Sequence, residues 1–164
     1  MIVFKEAINC YTIDDIKLNI DFEEVLWKAG RKLPRLVASG NISENYIIQD
    51  ISESIFNYLI TNGYFIQFHD NYWCNLYVNN KHYTPYHRDN YDCDLITLSI
   101  GATRTFLTKN DETENVTSYE LSHGDIVMWR SEWNMNNTHS IKKEKEFCGE
   151  RISILFFCTI QEIN

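Results

Sequence analysis

Residues 73–89 read WCNLYVNNKHYTPYHRD, and this stretch organises the rest of the chain. Along a β-strand, side chains alternate between the two faces, so His87 and Asp89 point to one side and Arg88 to the other. An imidazole and a carboxylate on one face form part of a metal-binding ligand set. The pattern therefore predicts a metal site that needs a second imidazole from elsewhere in the chain.

Length and composition are those of one globular domain. The 164 residues suffice for one sizeable core and are too few for two ordinary domains. With 44% hydrophobic and 23% charged residues, the chain does not belong to the intrinsically disordered class. No stretch approaches the roughly 20 apolar residues of a membrane span, and no signal segment opens the chain. We therefore expect an intracellular protein, cytoplasmic or nuclear, that is not secreted; we also expect a monomer without a membrane partner.

The charge distribution bears on nucleic-acid binding. A net charge of −8 argues against a protein that coats nucleic acid indiscriminately, because such binding depends on neutralising phosphates. A compact basic cluster is nevertheless present at Arg31, Lys32 and Arg35. This cluster could contact phosphates locally, or it could be an ordinary solvated loop.

Apolar periodicity predicts two helices followed by many short strands. Thr12 and Asp15 resemble a capping box that opens a short helix through Ile20, and a second helix is predicted over residues 51–62, before Gly63. Strands are predicted at residues 73–78, 85–89, 95–100, 105–109, 116–121, 126–130, 138–141 and 151–160. Because the strands follow the helices without βαβ alternation, we expect an α+β, mainly β fold: a jelly roll with flanking N-terminal helices. We expect a single domain over residues 1–164, with the second helix and the jelly-roll core from about residue 51 onwards.

His139 is the best candidate among the five histidines for the missing imidazole. Distant strands become neighbours in a jelly roll, so a ligand about fifty residues after Asp89 is geometrically reasonable. His69 and His82 are interpreted as loop or edge residues and His123 as a turn residue. Two imidazoles and one carboxylate are the ligand set of non-haem Fe(II) oxygenases. The ligands alone would also fit a zinc-dependent jelly-roll hydrolase.

Polar residues also interrupt strands that are otherwise apolar. Arg151 begins the run RISILFF at residues 151–157, where a guanidinium is costly to bury without an anion. If the face that it shares with Ser153 lines the barrel, Arg151 suits a bidentate contact with a carboxylate; otherwise it reaches solvent at the strand end. Asn75 and Tyr77 share a strand face and could donate hydrogen bonds to a bound acid or serve a structural role.

Six short motifs occur in an informative order: Asn75-Leu76-Tyr77, His87-Arg88-Asp89, Leu98-Ser99-Ile100-Gly101, His123-Gly124-Asp125, His139-Ser140-Ile141 and Gly149-Glu150-Arg151-Ile152-Ser153. In this order and approximate spacing, the chain resembles the AlkB-like 2-oxoglutarate- and Fe(II)-dependent dioxygenases over about residues 25–160. Pro34-Arg35-Leu36 also resembles the family's substrate-lid segment, which places the lid within the first 50 residues or so.

The resemblance implies a double-stranded β-helix with Fe(II), the co-substrate 2-oxoglutarate and O2 at one site. The implied iron ligands and catalytic residues are His87, Asp89 and His139. The implied 2-oxoglutarate-binding residues are Asn75, Tyr77, Arg151 and Ser153, with Arg151 on the distal carboxylate.

Ser153 stands where the bacterial repair enzyme has asparagine, a change that other family members also show. Besides Ser153, the chain departs from the family pattern at two positions of the site. Phe157 stands six residues after Arg151, where family members often carry a second arginine, so one contact near the metal is absent or comes from another residue. Tyr91 stands two residues after Asp89, where repair members commonly have an acidic residue that helps to recognise the base. The second departure concerns substrate specificity, whereas the predicted iron ligands are all present.

The activity that the resemblance implies is oxidative demethylation of alkylated bases in DNA or RNA. A base inside a duplex cannot reach such a pocket, so the substrate would be single-stranded or flipped out. Candidate substrate-binding residues are Arg31, Lys32 and Arg35 for phosphates, and Trp73, Tyr91 and Trp133 for stacking, unless these aromatic residues pack in the core. The alternatives are a dioxygenase of the same chemistry that acts on a protein side chain or small molecule, and a catalytically silent binding module.

Overall fold

Two antiparallel sheets face each other in the structure, which is a computed structural model and describes residues 1–26, 30–89 and 92–163. The strands in this part of the chain are β1 (Ile2–Phe4), β2 (Leu36–Gly40), β3 (Tyr64–Tyr77), β4 (Thr84–His87), β5 (Asp94–Gly101), β6 (Arg104–Asn110), β7 (Val116–Leu121), β8 (Ile126–Trp129), β9 (Asn137–Ile141) and β10 (Arg151–Glu162). The helices are α1 (Ile13–Lys17), α2 (Tyr46–Thr61) and α3 (Ser131–Asn136), and a short 3-10 helix covers Ile42–Glu44. Among these described residues, no helix is both long enough and apolar enough to cross a bilayer.

The strand order confirms the jelly-roll prediction. The larger sheet has the order β1-β8-β5-β10-β3-β2 and the smaller sheet the order β4-β9-β6-β7. Strands far apart in sequence are therefore neighbours, as in β10 between β3 and β5. One apolar cluster fills the space between the sheets, and a second lies between the larger sheet and α2.

Helix α2 covers the outer face of the larger sheet because its buried residues recur every three or four positions. These fully buried residues are Ile48, Ile51, Ile55 and Leu59. The helix begins at Tyr46 rather than at residue 51 as predicted, since the Asn45 side chain caps it by accepting a hydrogen bond from Ile48 N. It ends before Gly63, whose φ of +87° suits the turn into β3.

The predicted capping box of α1 is confirmed. The backbone N–H of Asp15 donates to Thr12 Oγ1 at 3.2 Å, and the backbone N–H of Thr12 donates to Asp15 Oδ2 at 2.8 Å. The helix ends at Lys17 and is shorter than predicted, since Ile20 lies beyond it. Ile16 is fully buried and fixes this short helix against the core.

The register of β10 decides which side chains face the space between the sheets. Ser153 lies opposite Asn75 of β3 and Ser99 of β5, and Arg151 lies opposite Tyr77 and Gly101. Directly opposed residues of antiparallel strands point to the same face. The polar residues singled out in β3 and β10 therefore share the inner face of the larger sheet.

We expect Gly101→Ala to destabilise the fold strongly. Gly101 has a φ of +94°, and a Cβ there would lie 2.5 Å from the backbone oxygen of Glu150 and 2.7 Å from Ile13 Cδ1. Left-handed backbone strain and overpacking together should lower the free energy of unfolding by roughly 2 kcal/mol or more, measurable by urea denaturation.

Gly149→Ala is the matched control, because its added Cβ would lie 3.6 Å from Ala102 Cβ, an ordinary contact. This variant should change the free energy of unfolding by no more than about 0.5 kcal/mol. Equal stability of the two variants would contradict the assignment of strain to Gly101.

Candidate active site

Three metal-ligand side chains converge at the edge of the smaller sheet. His87 ends β4 and pairs in register with His139 of β9, while Asp89 follows β4 by two residues. One ligand atom from each of the three residues lies within 4.8 Å of the others. His87 Nε2 is 3.5 Å from Asp89 Oδ1, and His139 Nε2 is 3.5 Å from Asp89 Oδ2. These distances would allow one ion to contact all three side chains.

Asp89 is positioned by Asn134, a residue that no local sequence pattern indicates. The predicted strand at residues 85–89 is wrong at its end, because β4 stops at His87 and Asp89 lies beyond it. The side chain of Asn134 in α3 instead holds the Asp89 backbone: Asn134 Nδ2 donates to Asp89 O at 2.7 Å, and Asp89 N donates to Asn134 Oδ1 at 3.4 Å. Asn134 is only 2% exposed, and no local pattern marked it, since α3 itself was not predicted.

The protonation states of the three side chains suit a metal cation. His87 Nδ1 lies 3.0 Å from Pro85 O, which can only accept, so Nδ1 carries a proton and, in the neutral tautomer, Nε2 is the atom with the lone pair for a metal. Burial lowers the pKa of His139 to about 4, so this imidazole is neutral at pH 7. Burial opposes ionisation of Asp89, but His87 and His139 in their protonated forms, together with Arg35, outweigh it and hold the pKa of this carboxyl below its usual range.

One orphaned atom shows that the three residues fit a cation. Asp89 Oδ2 is buried and has no hydrogen-bond partner in the described part of the chain. A buried carboxylate oxygen without a partner is unfavourable, and a cation between it and the two imidazoles would satisfy it. Nitrogen and oxygen ligands in a 2-His-1-carboxylate set suit Fe(II) and leave further coordination positions open.

A cavity of about 320 Å³ lies between the sheets beside these ligands. Besides the three ligands, its polar lining consists of Arg35, Asn75, Tyr77, Thr84, Arg88, Thr97, Arg151 and Ser153. Its apolar lining consists of Trp73, Phe106, Leu121, Val127, Trp129, Ile141 and Leu155. The ligand group and the polar residues of β3 and β10 therefore belong to one site.

Arg151 is buried within this site, at 1% exposure, and does not reach solvent. Its Nη2 donates to Ser99 Oγ at 2.9 Å, whereas Nε and Nη1 have no hydrogen-bond partner among the described residues. Burial lowers the pKa of Arg151 from its ordinary value, because removal from water disfavours the charged form. A buried guanidinium with unpaired N–H groups is unfavourable until an anion enters the cavity.

Tyr77 lies between two buried guanidinium groups. The Cζ atom of Arg151 is 5.4 Å from the centroid of its ring, and that of Arg104 is 5.8 Å away. The Tyr77 hydroxyl is 2.7 Å from Thr84 Oγ1. Arg104 is fully buried and donates to Asn79 O at 2.5 Å. No sequence pattern indicated a role for Arg104, because a single arginine at the start of a strand carries no local signal of burial.

Asn75 is fixed by three neighbours on the same wall of the cavity. Its Oδ1 accepts hydrogen bonds from Arg35 Nε at 2.6 Å and from Trp73 Nε1 at 3.0 Å. Its Nδ2 lies 3.3 Å from Ser153 Oγ and donates to it. Asn75 therefore has a defined orientation and can offer its remaining amide hydrogen to a bound acid.

The predicted substrate residues do not form one group in the structure. Trp73 and Arg35 line the cavity. Arg31 and Lys32 are exposed outside it, and Lys32 Nζ forms an ion pair with Glu24 at 2.5 Å. Trp133 does not line the cavity and instead packs with its ring centroid 6.1 Å from that of Trp129. Tyr91 lies outside the described residues.

Comparison with known proteins identifies the fold. No protein-family model matches the sequence, and no curated protein does. A solved oxidoreductase of the 2OG-Fe(II) oxygenase family from Burkholderia pseudomallei is similar over 90% of this chain and 76% of its own, with a TM-score of 0.58 and 15% identity. The structure of OsALKBH1 is similar over 95% of this chain and 96% of its own, with a TM-score of 0.67 and 13% identity. The chain therefore has the fold of the 2-oxoglutarate- and Fe(II)-dependent oxygenases, and its resemblance to the AlkB-like members is confirmed at the level of the fold.

Proposed function

We propose that the protein is a 2-oxoglutarate- and Fe(II)-dependent dioxygenase. The observation that carries this proposal is the buried guanidinium of Arg151, which has two unpaired nitrogen atoms and lines the same cavity as the ligand group. A metal-dependent hydrolase would need the three ligands. It would have no use for a buried guanidinium that binds a carboxylate in the same site. A dicarboxylic acid that reaches from the metal to Arg151 explains both features.

Each residue of the site has a defined task in this proposal. His87, Asp89 and His139 would hold Fe(II), which with O2 and 2-oxoglutarate supplies oxidation of a substrate C–H bond, giving the hydroxylated product, succinate and CO2. Arg151 would bind the distal carboxylate in a bidentate manner. Asn75 and Ser153 would orient the acid, while Tyr77 supports the guanidinium of Arg151.

The charges in this arrangement favour a dianion. Two neutral imidazoles and one carboxylate leave a divalent ion with a formal charge of about +1. The guanidinium groups of Arg151 and Arg35 line the same cavity, so the site offers an excess of positive charge to dianionic 2-oxoglutarate. Closing the cavity over the acid strengthens these attractions, because the interior has a lower effective dielectric constant than water.

For the substrate, we propose alkylated bases in DNA or RNA that are single-stranded or flipped out. The similarity to OsALKBH1 over nearly the whole length of both chains supports this class. Trp73 on the cavity wall offers an aromatic face for stacking. Oxidation of an N-methyl group would give a hydroxymethyl intermediate, which releases formaldehyde and leaves the demethylated base.

A second candidate is a protein side chain or a small molecule, oxidised by the same chemistry. The net charge of −8 and the pairing of Lys32 with Glu24 favour it, because both weaken attraction to phosphates. The two candidates differ in substrate and share the same cavity, ligands and acid-binding residues.

The decisive experiment measures succinate release from 2-oxoglutarate in the presence of Fe(II) and O2, with methylated oligonucleotides and methylated peptides compared by mass spectrometry. We expect demethylation of 1-methyladenine or 3-methylcytosine in single strands and none by His87→Ala. Turnover with peptides alone would replace the substrate proposal by the second candidate. Absence of 2-oxoglutarate turnover and binding in the wild-type protein would refute the dioxygenase proposal and favour a silent binding module.

A further inference from the structure

Arg35 lines the cavity, although its neighbours in the basic cluster, Arg31 and Lys32, are exposed outside it. Leu36 pairs with Leu76 and Val37 with Asn75, so Arg35 precedes β2 by one residue and points to the same side as Val37. Its half-buried side chain lines the cavity. The segment that carries it is fastened to the turn before β4, because Tyr83 N donates to Pro34 O at 2.9 Å.

The guanidinium of Arg35 is engaged at one nitrogen only. Nε donates to Asn75 Oδ1 at 2.6 Å, and within residues 1–26, 30–89 and 92–163 the terminal nitrogens Nη1 and Nη2 form no hydrogen bond or ion pair. The Nε contact fixes the planar group against the wall beside Asn75. Two donor nitrogens are thereby left for a ligand in the cavity.

The cavity wall brings Arg35 and the three metal ligands into one site. Arg35 is held there by Asn75, which also donates a hydrogen bond to Ser153 of β10. Arg151, by contrast, is hydrogen-bonded to Ser99 and stacks on Tyr77. One cavity thus contains two guanidinium groups with different partners, and their number matches the two carboxylates of 2-oxoglutarate.

We propose that Arg35 binds the carboxylate next to the keto group of 2-oxoglutarate through its terminal nitrogens, while Arg151 binds the distal carboxylate. This inference rests on the proposed function. It assigns Arg35 to the co-substrate rather than to the phosphates of a nucleic acid. It also supplies the contact near the metal that Phe157 cannot make, since that side chain is 4% exposed in the apolar cluster between the sheets.

The test measures affinity by calorimetry, without turnover, in protein loaded with Mn(II) in the absence of O2. Two ligands are compared: 2-oxoglutarate and 2-oxovalerate, which keeps the keto acid but has a methyl group in place of the distal carboxylate. Arg35→Leu should weaken binding of both ligands by about 10- to 100-fold, the range expected for loss of a charge-assisted hydrogen bond. Arg31→Leu is the matched control, an exposed arginine of the same segment, and should leave both affinities unchanged.

Two further variants separate a direct contact from an indirect one. Arg35→Gln keeps a donor for Asn75 but removes the charge, and it should show the same loss as Arg35→Leu. In an Asn75→Ala background, Arg35→Leu should still weaken binding; a loss of the effect there would mean that Arg35 only positions Asn75 and would overturn the inference. Wild-type binding with unchanged affinity in Arg35→Leu would also overturn it and leave the dioxygenase proposal intact. A wild-type protein that binds no 2-oxoglutarate would instead refute the proposed function itself.

Discussion

Asp89→Ala is expected to lower the affinity for Fe(II) or Mn(II) by at least about 100-fold and to abolish succinate formation. Mutation of a residue that only hydrogen-bonds to a metal ligand typically lowers metal affinity by about 10- to 100-fold, and loss of a ligand itself should have a larger effect. Asp89 contributes the charged oxygen atoms of the ligand group, and each faces one imidazole at 3.5 Å. Titration of metal-free protein with Mn(II), followed by calorimetry, measures the change.

The fold of the metal-free variant should remain intact. The Asp89 backbone hydrogen bonds to Asn134 do not involve the carboxylate, and Oδ2 has no hydrogen-bond partner among the described residues to lose. Asp92→Ala is the matched control, because this nearby carboxylate is exposed and does not belong to the ligand group. Unchanged metal affinity in Asp89→Ala, or an equal loss in Asp92→Ala, would contradict the assignment.

Arg151→Leu is expected to separate ligand binding from stability. Affinity for 2-oxoglutarate should fall at least about 100-fold, because two charge-assisted hydrogen bonds of about 1.5 to 3 kcal/mol each would be lost. The ligand-free variant should nevertheless be more stable than the wild type, by about 1 kcal/mol or more, since an apolar side chain replaces a buried and partly unpaired charge. Calorimetric binding and urea denaturation measure the two effects on the same samples.

Two controls test the cause of these effects. Affinity for 2-oxovalerate should not fall in Arg151→Leu, because this acid has no distal carboxylate to lose its partner. Arg151→Lys keeps the charge but not the planar fork, so it should bind 2-oxoglutarate with intermediate affinity. Equal weakening of both acids by Arg151→Leu would show a general distortion of the cavity rather than the loss of one contact.

Local sequence patterns were sufficient to predict a residue's position where that position depends on its neighbours in sequence. The alternation of residues 151–157 predicted that Arg151 shares a face with Ser153, and the register of β10 places both on the cavity wall. The Thr12–Asp15 capping box is likewise a local signal and was predicted correctly. The start of α2 was wrong because Asn45, its cap, lies several residues before the periodic apolar positions that marked the helix.

Local sequence patterns did not predict the residues whose contacts join segments far apart in the chain. Asn134 lies in a short helix without strong periodicity, yet its side chain holds the backbone of Asp89. Arg104 gave no signal of burial, although it is fully buried against Tyr77. Such contacts depend on how β4, β6 and β9 pair, which no window of a few residues can encode.

The sequence by itself determined the mainly β architecture, the three candidate ligands and the partly apolar strand that carries Arg151, because alternation and residue chemistry are local properties. Tertiary structure decided which basic residues face the site. Arg31, Lys32 and Arg35 are near neighbours in sequence, but strand pairing turns only Arg35 into the cavity and leaves the other two exposed. The physical reason is that the pairing of β2 with β3 sets the direction in which the side chains of β2 and of the adjoining Arg35 point. This pairing joins segments about forty residues apart in the chain.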